Sequence, residues 1–341
     1  MKNIRMWGLQ LFADNPLNTN VTTDPGLSVE NKTFYDKALI ETATPELVHS
    51  QFGQKRPIPK NGGKKIQFRR YASLPKAMKP LTEGVTTEGR KLNASAIEAE
   101  VSQYGDYVAL SDVLDLTAID NNVLEATKAI GHQAGLTLDT VTRNVLQSGT
   151  NVYYCPKVAS DGKRTPVDSR AALDKTCTLT VDVVKKVAAI LKAANAPKIN
   201  GDYVCVLHPY VAYDIMADPH WEEMQKYAKP ENMYEGEIGR IAGVRFVETS
   251  EAAVYKGDGC PDGLAVFGCL FLADGAYGVT EVTGGGLQTI IKQLGSAGTA
   301  DPLDQRSTVG WKALQTAEIL VEPYMVRVEC CSAFSPTAEA N

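Results

Sequence analysis

The residues best placed to do chemistry in this chain are few, and none of them completes a catalytic motif. His208 ends the apolar run 203–207 before a proline, where α/β enzymes place active groups. A hydrogen-bonded structural histidine at a turn is the reading we favour there. Asp258 and Asp262 lie among glycines, but no glutamate closes a calcium loop, so a solvated turn is favoured.

The segment 57–70, PIPKNGGKKIQFRR, fails as a phosphate loop because Gly63 and Lys64 are followed by another lysine and no glycine stands five residues before Gly63. The run GDGCPDG at 257–263 precedes a strand-like stretch and lacks the last glycine of a dinucleotide motif. Neither a G-x-S-x-G nor an H-E-x-x-H sequence occurs. We therefore predict no enzyme activity, no cofactor and no metal site.

Charge is distributed unevenly along the chain, although the net value is only −5. The range 55–79 contains nine cations and no acid, so the remaining residues carry −14. Directly downstream, 83–125 holds nine acids against two cations. A basic arm followed by an acidic region suits pairing between copies of one chain as well as contact with nucleic acid.

The seven cysteines form no CxxC pair and no zinc spacing, which predicts reduced thiols in a cytosolic setting. No run approaches the roughly 18 apolar residues of a membrane span. The start MKNIRMWGLQLFADNP lacks the small-residue cleavage site of a signal peptide. We expect no membrane partner.

The elements that must position the basic segment form a long hairpin. Alternation after the Asn61-Gly62-Gly63 turn predicts a strand with Lys65, Gln67 and Arg69 on one face, and SAIEAEV predicts a returning strand. The region 57–105 has too few apolar residues for a core of its own, so it must lie on something else. A solvated hairpin, a protein contact and a nucleic-acid contact all stay open, although the scarcity of aromatics weighs against the last.

One long helix is predicted from about 120 to 148, because apolar residues recur there at intervals of three and four. On this helix Asp139 and Arg143 are spaced to form a weak ion pair. A second helix follows Thr180, and the remainder alternates short strands with glycine-rich loops. The stretch 309–331 predicts long strands.

Five stretches, FGQKRPIPKNGGKKIQFRRY, LTEGVTTEG, YGDYVALSDV, GEIGRIAGVRFVET and DPLDQRSTVGWKA, resemble segments of tailed-bacteriophage major capsid proteins, in the same order. The likeness runs from about 45 to 330 and is greatest to the N-four-type podovirus capsid proteins. Asp304 and Ser307 depart from the Asn and Gly that are common at these positions in the family.

The resemblance implies the α+β capsid fold shared by tailed phages and herpesviruses. It implies an N-terminal arm at 1–30, a helical lead-in at 31–56 and an E-loop hairpin at 57–105. A P-domain at 106–175 includes the spine helix at about 120–148, an A-domain follows at 176–300, and strands returning to the P-domain and a C-terminal tail occupy 301–341.

The implied function is self-assembly into the icosahedral head around phage double-stranded DNA, with no catalytic role. The expected contacts with neighbouring subunits are made by Lys64, Lys65, Phe68, Arg69, Arg70, Arg306 and Trp311. Arg and Trp are enriched at the centres of interfaces, but burial of Trp311 within one subunit is an equally good reading. No lysine–asparagine pair for covalent cross-linking can be identified.

The implied partners are further copies of the chain in hexamers and pentamers, a scaffold, a portal and loosely held DNA, since the acidity outside the hairpin disfavours tight DNA binding. The implied location is the virion, after assembly in the bacterial cytoplasm. A nanocompartment shell of the same fold around an enzyme cargo is the alternative. A hypothesis from another functional class is an α/β hydrolase-like enzyme that uses His208.

Overall fold

The computed structural model describes residues 39, 47–59, 63–71, 74–86, 89–117, 122–159, 162–221, 237–257, 259–281, 285–296 and 301–341. The predicted arm (1–30), most of the lead-in (31–56), the Asn61-Gly62 part of the hairpin turn and Asp258 lie outside these residues. None of the helices in the described part combines the length and the apolar character that a bilayer crossing requires.

The strands of these residues are, in chain order, β1 (Gln54–Lys55), β2 (Lys65–Tyr71), β3 (Ala94–Glu100), β4 (Ser102–Ser111), β5 (Val152–Tyr154), β6 (Lys157–Val158), β7 (Arg164–Thr165), β8 (Tyr203–Leu207), β9 (Glu237–Ile241), β10 (Val244–Glu248), β11 (Val254–Tyr255), β12 (Val266–Leu272), β13 (Tyr277–Glu281), β14 (Gln288–Lys292), β15 (Arg306–Ile319) and β16 (Met325–Cys330). The α-helices are α1 (Asp112–Thr117), α2 (Asn122–Gln147), α3 (Val181–Ala193) and α4 (Pro209–Met216).

Helix α2 lies within the range predicted for the long helix and extends about 39 Å at 1.5 Å per residue. Its buried positions, among them Ile130, Ala134 and Leu138, follow the spacing of three and four that the sequence shows. Asp139 and Arg143 were expected to pair with each other, but the structure gives them other partners. The Asp139 carboxylate contacts His49, and the Arg143 guanidinium donates to the Glu251 carbonyl oxygen at 2.8 Å.

The first sheet is built around β15. Strand β4 pairs antiparallel with β15 from Arg306 opposite Ser111 to Gln315 opposite Ser102. Strands β14 and β13 pair with the other edge of β15, and β1 adds in parallel to β13. Helix α2 covers one face of this sheet, because alternate residues of β15 are apolar and pack on the helix, among them Val309 and Ala313.

The second sheet has the order β5-β16-β12-β8-β10-β9, with β11 paired to β12. Its central strands are almost continuously apolar because both faces are covered. On one face Val184 and Val187 of α3 belong to a core cluster with Phe271 of the sheet. On the other face Leu146, at the end of α2, and Tyr277 pack against the sheet.

The hairpin of β2 and β3 is a separate two-stranded sheet, paired from Lys65 opposite Glu100 to Tyr71 opposite Ala94. Strand β3 continues through Val101 into β4, so the hairpin rises directly from the edge of the first sheet. Its position relative to that sheet decides which of its residues are free to meet another molecule.

Candidate assembly surface

The hairpin divides into two parts with different surroundings. We call residues 65–68 and 97–100 the hairpin root and the described residues 74–86 and 89–92 the hairpin tip. In the root, Ile66, Phe68, Ile97 and Ala99 form an apolar cluster with residues of the same subunit, Leu320, Val321 and Tyr324. The root is therefore completed by its own chain.

Phe68 is central to the root, with only 3% of its surface exposed. Its ring lies against Gly278 of β13, where an added Cβ would stand 2.8 Å from two ring carbons. The Arg56 guanidinium stands 5.9 Å from the ring centroid. The ring packs on Gly278 within its own subunit, which leaves little of its surface for a neighbouring copy, and the expected contact of Phe68 between subunits stays a prediction.

The basic face of the root is open to solvent, as the alternation of β2 predicts. Lys65 lies opposite Glu100 with 4.0 Å between Nζ and the carboxylate, and Gln67 donates to Glu98 at 2.6 Å. Such an exposed ion pair contributes little to folding. No ion pair of Lys64, Arg69 or Arg70 is found within the described residues, so this charge remains available.

The hairpin tip carries apolar side chains that its own subunit does not cover. Met78 is 81% exposed and Leu81 is 77% exposed. The other exposed apolar residues of the tip are Leu74, Val85 and Leu92. Within the described part, one hydrogen bond of 2.9 Å, from the Arg90 guanidinium to the Pro75 carbonyl oxygen, crosses the tip. Several exposed apolar side chains on one segment are typical of an interaction site.

A groove of about 410 Å³ lies on the first sheet, lined among others by Gly105, Tyr107, Ile290 and Gly310. Tyr107 forms one side of the groove, and 68% of its surface is exposed. An added Cβ at Gly310 would approach Tyr107 Cβ to 2.9 Å, and one at Gly105 would approach the Trp311 carbonyl oxygen to 2.6 Å. The two glycines therefore let β4 and β15 approach closely beneath the groove.

Trp311 also borders this groove, but it packs with α2 in the core of the subunit and is 3% exposed. Its indole Nε1 donates to Gln133 of α2 at 3.3 Å, and the Gln133 amide donates to Asp106 at 2.7 Å. This hydrogen bond lowers the pKa of the Asp106 carboxyl. Trp311 is therefore buried within one subunit, as the alternative stated above has it, and its expected role between subunits stays a prediction.

Arg306 begins β15 with a largely exposed side chain. Its Nε lies 3.7 Å from Asp301 Oδ2, and its backbone N–H donates to the same carboxylate at 2.8 Å. Asp304, one of the two departures from the related sequences, adopts a positive φ of 52°, a conformation that asparagine tolerates equally well. The guanidinium group is held at the turn but remains accessible.

His208 is a structural residue, as favoured above. Its side chain caps α4 by accepting the Tyr210 N–H at 3.2 Å, and its ring packs against Phe267. Burial lowers the pKa of this histidine.

The cysteines of the second sheet form a row of buried thiols. Cys269 and Cys330 place their sulfur atoms 3.9 Å apart, and burial raises the pKa of the Cys205 thiol well above its usual value. All seven cysteines are free, and the described residues contain no group of three potential ligands placed to hold a metal ion. These thiols act as small apolar residues of the core.

Comparison with known proteins gives one family and a set of solved structures. The sequence pattern of a family described as "Phage capsid protein" matches residues 101–261. No curated protein matches the chain.

The solved structures similar to this chain include phage capsids. The capsid of Ralstonia phage GP4 has a TM-score of 0.65 at 14% identity, over 86% of this chain and 90% of that one. The capsid of cyanophage P-SCSP1u has a TM-score of 0.62 at 13% identity, over 83% and 87%. A virus-like particle from Pyrococcus furiosus has a TM-score of 0.50 at 9% identity, over 88% and 99%. At such identities the likeness concerns the fold, which is the tailed-phage capsid fold.

Proposed function

We propose, from the premise that this chain is a phage major capsid protein, that its hairpin tip lies across an adjacent copy and so links subunits into a shell. That premise rests on two observations, the matching family and the shared capsid fold. How the copies contact each other is the part that we propose.

The exposed apolar tip is the observation that carries the proposal. Met78 and Leu81 are almost as open as in an unfolded chain, although the root of the same ribbon is well packed. Fully burying one such side chain stabilises a contact by about 1.5–3 kcal/mol. A surface on a sister molecule supplies that burial, so association orders the tip and joins the subunits in one step.

We propose the groove beside Tyr107 as the place on the neighbour that receives an apolar side chain of the tip. The groove is open, lies on the face of the first sheet that α2 does not cover, and presents Ile290 and two glycines. Specific interfaces bury about 800 Å² on each partner, which one groove does not reach alone. The basic face of the hairpin supplies the remainder.

Lys64, Lys65, Arg69 and Arg70 are proposed to face carboxylates of the neighbouring copy, and Arg306 is a second candidate for contact between subunits. Their charges are exposed, and the chain outside the range 55–79 is strongly acidic. Complementary charge contributes to register and association rate more than to affinity. A heterologous contact of this kind closes into rings and then into a cage.

The domain ranges stated above carry over as part of the proposal. The hairpin corresponds to the E-loop, the first sheet with α2 to the P-domain and its spine, and the second sheet with α3 and α4 to the A-domain. The shell is proposed to be icosahedral, built of hexamers and pentamers, and to assemble in the host cytoplasm with a scaffold and a portal. It encloses double-stranded DNA, which its acidic subunits hold loosely, and it has no catalytic role.

A nanocompartment shell of the same fold is the second candidate, and a virus-like particle from Pyrococcus furiosus shares the fold, but the matching family favours the phage head. Electron microscopy of the purified particles separates the two, since a head contains DNA and a nanocompartment contains an enzyme cargo.

The charge of the hairpin is tested by Lys65→Glu combined with Arg69→Glu. Both side chains are exposed in the subunit, so we expect an unchanged thermal transition and the absence of shells in electron micrographs. The control is Lys186→Glu with Lys192→Glu, the same change of charge on exposed lysines of α3. Normal shells from the hairpin variant, or loss of shells from both variants, would refute the proposal.

A further inference from the structure

A buried contact below the hairpin joins three separate parts of the subunit. The His49 backbone N–H donates to Asp139 Oδ1 at 2.7 Å, and the His49 ring Nδ1 lies 2.6 Å from Asp139 Oδ2. The Tyr277 hydroxyl donates to the His49 carbonyl oxygen. All three residues are fully buried. They come from the segment that precedes the hairpin, the middle of α2 and the first residue of β13.

The geometry fixes His49 more completely than one hydrogen bond does. One carboxylate receives both the backbone and the side chain of the same residue, while a third group holds its carbonyl oxygen. Burial, followed by the charge of Asp139, raises the pKa of Tyr277, so its hydroxyl stays a donor. The segment cannot rotate or slide without breaking several of these bonds together.

The same strand, β13, also supports the hairpin at two further points. Its Gly278 and Val279 pair with β1, and Gly278 receives the ring of Phe68. Gly53 lies so close to β13 that an added Cβ would stand 2.6 Å from the Tyr277 ring. The chain from Gly53 to Arg56 is therefore held against β13, the same strand that receives Phe68 of the hairpin root.

A buried pair of hydrogen-bonded polar groups contributes little net stability, since the desolvation of both groups offsets their interaction, but it is well suited to specify one geometry. We propose that His49, Asp139 and Tyr277 form a latch that positions the hairpin by anchoring the chain segment from which it rises. The inference rests on the proposed function of the hairpin, since a tip that reaches a neighbour must leave the subunit in a defined direction. His49 and Asp139 are positioning residues, remote from the tip itself.

The test uses amide hydrogen exchange of dilute subunits separated from shells by size exclusion. His49→Ala removes the ring donor and is expected to accelerate exchange in β1 and β2 by about tenfold or more, as local opening requires. His49→Asn keeps an N–H donor near the position of Nδ1 and is expected to stay within about twofold of the native rates. The His49 Nε2 atom, which Asn lacks, has no hydrogen-bond partner among the described residues.

The control is Val187→Ala, a core truncation in α3 that lowers overall stability far from the latch. It is expected to accelerate exchange in α3 and to leave β1 and β2 unchanged. Equal acceleration of β1 and β2 by Val187→Ala and His49→Ala would overturn the latch, because it would show general destabilisation. Exchange in His49→Asn as fast as in His49→Ala would overturn it as well.

Tyr277→Phe provides the test if His49→Ala does not fold, because it removes only the hydroxyl. We expect about threefold faster exchange at the same amides, and unchanged rates would contradict the latch. These measurements are made on single subunits. Failure of the shell proposal therefore leaves their outcome intact, and failure of the latch leaves the charge-reversal experiment intact.

Discussion

The root and the tip of the hairpin belong to one ribbon, but only the root packs its apolar side chains against the rest of its own subunit. The root places Phe68 on Gly278 and is finished by its own subunit. The tip keeps Met78 and Leu81 in solvent. This difference confines the proposed contact with a neighbouring copy to the distal residues, whereas the whole range 57–105 was expected to lack a core of its own.

The strongest test of this difference between root and tip is to replace the exposed apolar side chains of the tip. Met78→Ser with Leu81→Ser should change the free energy of unfolding by no more than about 0.5 kcal/mol, because both side chains are exposed in the subunit. Assembly should weaken at least about 100-fold per contact, since roughly 3 kcal/mol of burial is lost. Light scattering measures the concentration at which shells form.

The matched control for the tip is Ile190→Ser with Met216→Ser, which removes two other partly exposed apolar side chains from α3 and α4. Its assembly should remain close to native. If the tip variant assembles at the native concentration, or if its subunit unfolds at a clearly lower temperature, the tip is not the surface that a neighbour completes.

A substitution in the root is expected to affect association less than the tip variant does, and to affect the stability of the subunit more. Phe68→Ala leaves a cavity over Gly278 and should lower the free energy of unfolding by about 3 kcal/mol. Assembly of the folded fraction should fall less than in the tip variant. Denaturant titration gives the stability, and a loss below about 0.5 kcal/mol would contradict the packing described for the root.

Elements governed by local pattern were predictable from the sequence. Helix α2 follows from its spacing of apolar residues, β2 from its alternation, and the structural role favoured for His208 from its expected place at a turn. Each depends on residues within a few positions of one another. The ranges of the arm, E-loop, P-domain and A-domain remain predictions.

Features that depend on distant parts of the chain were not predictable. Asp139 meets His49 across 90 positions, which overrides the local pairing expected with Arg143. Gly278 accepts Phe68, and nothing near either residue in the sequence indicates that contact. The groove had one available signal, since Gly105 and Gly310 interrupt strands, as glycines do where backbones approach closely.

The central claim is tested most directly by a cryo-electron microscopy map of the assembled shell at side-chain resolution. The account predicts that Met78 and Leu81 of each subunit are buried on an adjacent copy, while Phe68 stays on Gly278 of its own chain. A shell in which the tip remains in solvent, or folds back onto its own subunit, would contradict it.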